Sequence, residues 1–196
     1  MAIIEEVLDD EEVQEKLDRI KQEGNQQFGL GNYSDAVQKY SEALEVCPPD
    51  FNEFRTVLHS NISACYIKLE KWDEAVDAAT TALEADPKNP KALERRGYAN
   101  QRLDKVDDSI VDYKAIIEEY PKRVDLQKKI AECQARSLEK QEEMKKGVIE
   151  KLKTLGNVCL KPFGLSTDSF EMTPNGTGGY SIGMKGQNRS NNSDEN

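Results

Sequence analysis

Apolar side chains recur at helical spacing through most of the chain. Pairs of them, three residues apart, stand at Tyr40 and Ala43, Ala79 and Ala82, and Tyr113 and Ile116. A spacing of three or four residues places side chains on one face of an α-helix. A proline, which stops a helix because it lacks a backbone N–H, follows each pair, at Pro48, Pro87 and Pro121. The pattern predicts a series of amphipathic helices.

The helical pattern also repeats along the chain. Related strings occur at Tyr33-Ser-Asp-Ala36, Trp72-Asp-Glu-Ala75 and Val106-Asp-Asp-Ser109. The step from Pro48 to Pro87 is 39 residues, and the step from Pro87 to Pro121 is 34. One repeat position is always small, at Gly24, Ser63 and Gly97. These observations predict two helices per repeat, with small residues where the helices approach closely.

This pattern resembles the tetratricopeptide repeat, a 34-residue antiparallel helix pair. The resemblance implies an all-α fold, a helical solenoid of three repeats at residues 17–50, 56–89 and 90–123. The longer first step leaves five extra residues, 51–55, between the first two repeats. At this insertion, Asp50 followed by Glu53 is typical of a capping box and predicts an extension of the next helix. Asn89 before Pro90 predicts an N-cap and a first-turn proline.

The chain beyond the repeats predicts a long capping helix over residues 124–156. Its apolar positions, Leu126, Ile130, Val148, Ile149, Leu152 and Leu155, are spaced for one face. Terminal repeats need such a helix, because an open array would leave its last apolar face in water. We expect Gly156 to end the helix.

Three further segments complete the organisation of the chain. Alternation at Phe170, Met172, Tyr180, Ile182 and Met184 predicts that residues 157–184 form a short extended or hairpin segment. Residues 185–196 are rich in Gly, Asn and Ser, which predicts a disordered tail. Residues 1–16 form an acidic N-terminal segment.

Five polar residues are candidates for peptide binding. Tetratricopeptide domains that bind chaperone C-termini carry five groove residues known as a carboxylate clamp, and the resemblance places them at Lys21, Asn25, Asn61, Lys91 and Arg95. A spacing of four sets Lys21 beside Asn25 and Lys91 beside Arg95 on single helix faces. Cations and amide N–H donors converging on one groove suit the terminal and side-chain carboxylates of a peptide.

The resemblance implies a co-chaperone or adaptor that binds the acidic C-terminus, Glu-Glu-Val-Asp, of Hsp90 or Hsp70. Residues 156–167, continuing to Ile182, also resemble the C-terminal region of the tetratricopeptide repeat protein one family, and the whole resemblance covers about residues 15–184. That family resemblance implies a second partner, such as a G-protein subunit or a Ras-type GTPase. The alternative is a signalling scaffold whose groove binds an internal segment of such a client.

Composition narrows the remaining function classes. A net charge of −10 disfavours nucleic acid or an anionic membrane as the main partner. No apolar run approaches the length of a membrane span, and the N-terminus lacks the pattern of a signal peptide, so we expect a cytoplasmic protein. The four cysteines form no Cys-x-x-Cys pair and there is one histidine, which predicts no zinc site, no cofactor and no enzymatic activity.

Overall fold

The computed structural model describes residues 10–174 and 180–185. These residues form seven α-helices, two 3-10 turns and one two-stranded sheet. The helices are α1 (Asp10–Gly29), α2 (Tyr33–Val46), α3 (Asn52–Lys68), α4 (Trp72–Ala85), α5 (Pro90–Arg102), α6 (Val106–Glu119) and α7 (Val124–Leu160). The all-α fold class is therefore confirmed.

The first six helices form three consecutive pairs, which confirms the predicted solenoid of helix pairs. Helix α1 packs on α2, α3 on α4, and α5 on α6. The tight turn within each pair contains one residue in the left-handed region, Gly31 at φ 83°, Glu70 at φ 57° and Asp104 at φ 62°. Residues other than glycine rarely adopt this conformation. Packing of the helices therefore determines the last two turns.

Small residues on the first helix of a pair admit an aromatic ring from the second. A Cβ on Gly24 would lie 2.6 Å from Cε1 of Tyr40, and a Cβ on Gly97 would lie 2.8 Å from Cε1 of Tyr113. At the matching position, Ser63 is fully buried and its hydroxyl donates to a main-chain carbonyl of α4 at 2.7 Å. The predicted role of these small residues in close helix approach is confirmed.

Two clusters of buried apolar side chains form the core of the helix pairs. The first comprises Leu17, Ile20, Ala36, Tyr40, Ala43, Cys47, Leu58, Ile62 and Cys65. The second comprises Ala82, Leu83, Ala92, Leu93, Tyr113, Ile116 and Leu126. Because Leu126 belongs to α7, the start of that helix covers the last pair, as a capping helix must.

One of the two predicted helix caps is present. The Asn89 side chain accepts a hydrogen bond from the Ala92 N–H at 3.1 Å, which confirms the N-cap before Pro90. The capping box predicted at Asp50 is wrong, because α3 begins at Asn52 with Phe51 at its N-cap position and no side-chain cap. Helix α3 nevertheless begins four residues before the repeat boundary at residue 56, as the insertion predicted.

The prediction that Gly156 ends the long helix is also wrong, because α7 continues to Leu160. A Cβ at Gly156 would lie 2.7 Å from Cγ2 of Thr167, and the Thr167 N–H donates to Oδ1 of Asn157 at 2.6 Å. The glycine therefore stays helical and provides room for the returning chain. The reversal follows a 3-10 turn, where Gly164 adopts φ 70°.

The C-terminal strands confirm the predicted hairpin. Strand β1 (Phe170–Pro174) pairs antiparallel with β2 (Tyr180–Met184), so that Phe170 lies opposite Met184 and Met172 lies opposite Ile182. The connecting residues 175–179 lie outside the described residues. So do residues 1–9 of the acidic N-terminal segment and residues 186–196 of the predicted disordered tail.

The chain divides into two compact units, Met1–Leu138 and Glu139–Asn196. The first contains the three helix pairs and the start of α7, and the second contains the rest of α7 and the hairpin. Among the described residues, no helix combines the length and apolar character that a membrane span needs.

Candidate peptide-binding site

The five predicted site residues lie on α1, α3 and α5, the first helices of the three pairs. Side-chain contacts made by two of these residues connect the three helices. The Lys21 ammonium on α1 lies 4.6 Å from the ring centroid of Phe54 on α3, and the Arg95 guanidinium on α5 donates a short hydrogen bond to the Ser60 hydroxyl on α3. The fold therefore places the cations of the first and third repeats on either side of α3.

A buried tyrosine fixes the orientation of the Asn25 amide. The Tyr40 hydroxyl donates to Oδ1 of Asn25 at 2.7 Å. Burial raises the pKa of Tyr40 to about 12, so the hydroxyl keeps its proton at neutral pH. Because Tyr40 occupies the amide oxygen, the amide NH₂ of the exposed Asn25 is free to donate to a ligand.

The Arg95 guanidinium is half-buried and forms no ion pair with the described residues, although the neighbouring Glu94 carboxylate opposes the lowering of its pKa. Burial lowers the pKa of Arg95, and the groups close enough to act on it include the thiol of Cys65 and the phenol of Tyr40. Burial raises the pKa of Cys65 to about 11, so both groups are neutral at pH 7. The adjacent Glu94 pairs with Arg123 at 3.1 Å. A partly buried charge of this kind favours an anionic ligand.

Lys91 lies one helical turn from Arg95 on α5. It is exposed and makes no ion pair with the described residues. Lys91 and Arg95 both line a concavity of about 340 Å³, together with Ile67, Glu94, Tyr98 and Lys129. Asn61 is half-buried on α3 next to Ser60 and forms no side-chain hydrogen bond with the described residues.

Lys21 differs from the other two candidate cations because it already has a carboxylate partner. Its ammonium contacts Oδ1 of Asp18 at 2.5 Å, and Gln14 donates to the other oxygen of Asp18 at 3.0 Å. The hydrogen bond from Lys21 is the main cause of a lowered pKa at Asp18. A peptide carboxylate that binds Lys21 would therefore compete with Asp18.

We expect Asp18→Asn to strengthen binding of a carboxylate peptide by about 1.4- to 5-fold. The substitution removes the competing anion, and an ion pair this exposed is worth about 0.2 to 1 kcal/mol. Isothermal titration calorimetry would measure the change, with Asp77→Asn on α4 as a control for the loss of one negative charge elsewhere. Equal affinities of the two variants would show that Asp18 does not compete with the ligand.

The arrangement can bind an anion with several carboxylates. Lys91 and Arg95 have no ion-pair partner among the described residues, and Asn25 offers oriented N–H donors. Hydrogen bonds from charged donors to carboxylates are shorter and stronger than neutral ones.

The described residues contain no cluster of three or more His, Cys, Asp or Glu side chains that could hold a metal ion.

Sequence reasoning missed three residues that position the candidate site, Asp18, Tyr40 and Ser60. The repeat pattern assigns Tyr40 to the core alone, although its hydroxyl reaches the site. The contacts of Tyr40 and Ser60 join residues 15 and 35 positions apart, so no local pattern indicates them. Asp18 did have a signal, because an acidic residue three positions from Lys21 faces it on the same helix.

A known family model matches part of the helical region. Residues 66–124 match the family model described as tetratricopeptide repeat. Mitochondrial import receptor subunit TOM70 from Rattus norvegicus is 36% identical over 96 residues, which cover 49% of this chain and 16% of that protein. The chain thus matches only a small part of this relative's length.

Solved structures show the same fold over most of the chain. The C-terminal domain containing tetratricopeptide repeats of the Plasmodium falciparum putative FK506-binding protein PFL2275c has a TM-score of 0.61 and 24% identity, and the match covers 69% of this chain and 97% of that one. The first such domain of Spaghetti (RPAP3), bound to the Hsp90 peptide SRMEEVD, has a TM-score of 0.56 and 25% identity, with coverage of 62% and 94%.

Proposed function

We propose that the chain is an adaptor for acidic chaperone C-termini, because residues 66–124 match the tetratricopeptide repeat model and the three helix pairs have the fold of such domains. Its groove would bind the Glu-Glu-Val-Asp end of Hsp90 or Hsp70 through Lys21, Asn25, Asn61, Lys91 and Arg95. The observation that carries the proposal is the half-buried Arg95 guanidinium, which Ser60 orients and which lacks a carboxylate partner among the described residues. A peptide carboxylate would supply the missing negative charge.

The similarity to RPAP3 supports this choice of ligand. That domain was solved with a peptide that ends in Glu-Glu-Val-Asp. This end carries four carboxylates, which are the two glutamate side chains, the aspartate side chain and the C-terminus. Tetratricopeptide domains are protein-interaction modules, so the proposed role is that of an adaptor and not of an enzyme. The proposal includes a cytoplasmic location. The signalling partner stays a prediction from the family resemblance.

The chemistry of the groove suggests an affinity in the micromolar range. Hydrogen bonds to charged groups contribute about 1.5 to 3 kcal/mol each, whereas association costs about 4 to 15 kcal/mol. Four such contacts at about 3 kcal/mol each, set against an association cost of about 4 kcal/mol, leave a net binding free energy near −8 kcal/mol, which corresponds to a Kd of about 1 μM.

A C-terminal amide tests the proposal most directly. We expect the free acid Ser-Arg-Met-Glu-Glu-Val-Asp to bind at least about tenfold more tightly than the same peptide with a C-terminal amide, because the amide removes one charged acceptor. Isothermal titration calorimetry would measure both peptides, and a scrambled free acid would control for overall charge.

The alternative function makes a different prediction in the same experiment. A groove that binds an internal segment of a client would not distinguish a free C-terminus from an amide. Equal affinities for the two peptides would therefore contradict the chaperone proposal and favour a scaffold for internal client segments.

A further inference from the structure

The face of α5 that carries Lys91 and Arg95 continues beyond the candidate site. Lys91, Arg95, Tyr98 and Arg102 are spaced by four, three and four residues, so they share one face of the helix. Tyr98 lines the concavity beside Lys91 and also a second concavity of about 300 Å³. The second one is lined by Tyr98, Gln101, Arg102 and Arg136. A peptide could therefore pass from one concavity to the next across the Tyr98 ring.

Arg102 is an exposed cation held in place by aromatic rings. Its guanidinium carbon lies 4.8 Å from the ring centroid of Trp72, and Trp72 packs edge-on against Tyr98 with ring centroids 6.1 Å apart. Arg102 forms no ion pair or hydrogen bond with the described residues. Stacking on an aromatic face orients a guanidinium but leaves its in-plane N–H donors available.

The charges around Tyr98 favour an anionic ligand. Lys129 and Arg136 on α7 add to the positive charge of Arg102. Arg136 pairs with Asp104 at 2.6 Å, and Lys129 lies 3.8 Å from Glu94, which it shares with Arg123. Basic groups therefore remain in excess in this part of a chain whose net charge is −10, so an acidic segment is attracted here and repelled elsewhere.

We propose that Arg102, with Tyr98 and Arg136, forms a second subsite for an acidic side chain upstream of the bound C-terminus. The seven residues from Arg95 to Arg102 rise about 10 Å along the helix, a distance that an extended peptide covers in about three residues. With the first glutamate of the Glu-Glu-Val-Asp end at Arg95, the subsite selects ligands that carry an acidic residue about three or four positions before that glutamate. This inference rests on the proposed function, and it names the class of peptide preferred.

Two peptides of equal length test the subsite. Both are acetylated and end in Ser-Met-Glu-Glu-Val-Asp; one begins with Glu-Glu and the other with Gln-Gln. The Glu-Glu peptide is expected to bind the full chain about three- to tenfold more tightly than the Gln-Gln peptide, measured by fluorescence anisotropy. Equal affinities for the two peptides would overturn the subsite and leave the proposed function intact. Failure of both peptides to bind would overturn both.

Substitutions at Arg102 assign the preference to this residue. In Arg102→Gln the ratio of the two affinities is expected to fall to about one, and in Arg102→Glu it is expected to fall below one, because the introduced charge repels the Glu-Glu peptide. Arg19→Gln on the exposed surface of α1 is the matched control and should keep the ratio of the unsubstituted chain. Circular dichroism would check that each variant is folded. A ratio that survives in both Arg102 variants would contradict the assignment.

Discussion

Tyr113→Ala is expected to lower the free energy of unfolding by about 3 to 5 kcal/mol. The Tyr113 side chain on α6 is fully buried. It belongs to the same apolar cluster as Leu93 on α5 and Leu126 at the start of α7. Truncation would leave a cavity that the neighbouring helices cannot fill without losing their own contacts. Thermal unfolding followed by circular dichroism should show a melting temperature lower by roughly 10 °C.

A second substitution tests whether the contact between Tyr113 and Gly97 determines this stability. A Cβ on Gly97 would lie 2.8 Å from the Tyr113 ring, so Gly97→Ala is expected to cost about 1 to 3 kcal/mol by overpacking. In the Tyr113→Ala background the same change should be neutral or stabilising, because the ring is gone and alanine favours the helix by about 1 kcal/mol.

Gly147 offers the matched control for this pair of substitutions. It lies in α7, and a Cβ added there would have no neighbouring atom within 4 Å, so Gly147→Ala should stabilise the helix by about 0.5 to 1 kcal/mol. If Gly97→Ala and Gly147→Ala had the same effect, close approach of the Tyr113 ring would not be the reason for glycine at position 97.

Lys91→Ala is expected to weaken binding of the Ser-Arg-Met-Glu-Glu-Val-Asp peptide by about 1.5 kcal/mol or more, which is at least tenfold in Kd. Lys91 is exposed and has no ion-pair partner among the described residues, so its loss should leave the melting temperature nearly unchanged. Isothermal titration calorimetry measures the affinity, and circular dichroism measures the stability.

The exposed Lys114 on α6 is the control for Lys91. Lys114→Ala removes the same charge from the other helix of the third pair and should leave the affinity within about twofold. Arg95→Ala is a less clean test, because it also removes the hydrogen bond to Ser60 and could change the packing of α5 on α3. Unchanged affinity of Lys91→Ala would remove Lys91 from the binding site.

The sequence by itself determined the helix pairs and the order in which they occur. Apolar spacing and the prolines are local signals, because they depend on the turn of a single helix and on the missing N–H of proline. Gly24 and Gly97 could also be interpreted without the structure, since small residues at one repeat position imply a close neighbour. Asn89 was recognisable as a cap because its partner, Ala92, lies only three residues away.

Only the tertiary structure decided where α3 begins and α7 ends, and which side chains on different helices are in contact. Asp50 had the spacing of a capping residue, but α3 begins one position later than such a cap requires, at Asn52, and the N-cap residue is Phe51, which packs against the first core cluster. Gly156 is a residue type that often ends a helix. In the structure it lies within α7, and the Thr167 side chain of the returning chain packs where a Cβ on Gly156 would lie. In both places a contact distant in sequence, or the position of a neighbouring element, outweighed a weak local preference.

For the candidate site, too, the positions of the residues on their helices could be predicted from the sequence, whereas their contacts could not. The sequence places Lys21, Asn25, Asn61, Lys91 and Arg95 on first helices, and their role in binding remains a proposal. The hydroxyls of Tyr40 and Ser60 that orient Asn25 and Arg95 come from other helices, as does the Trp72 ring beneath Arg102. Such contacts depend on how separate helices pack, because a side chain's partners are set by distance in space and not by spacing along the chain.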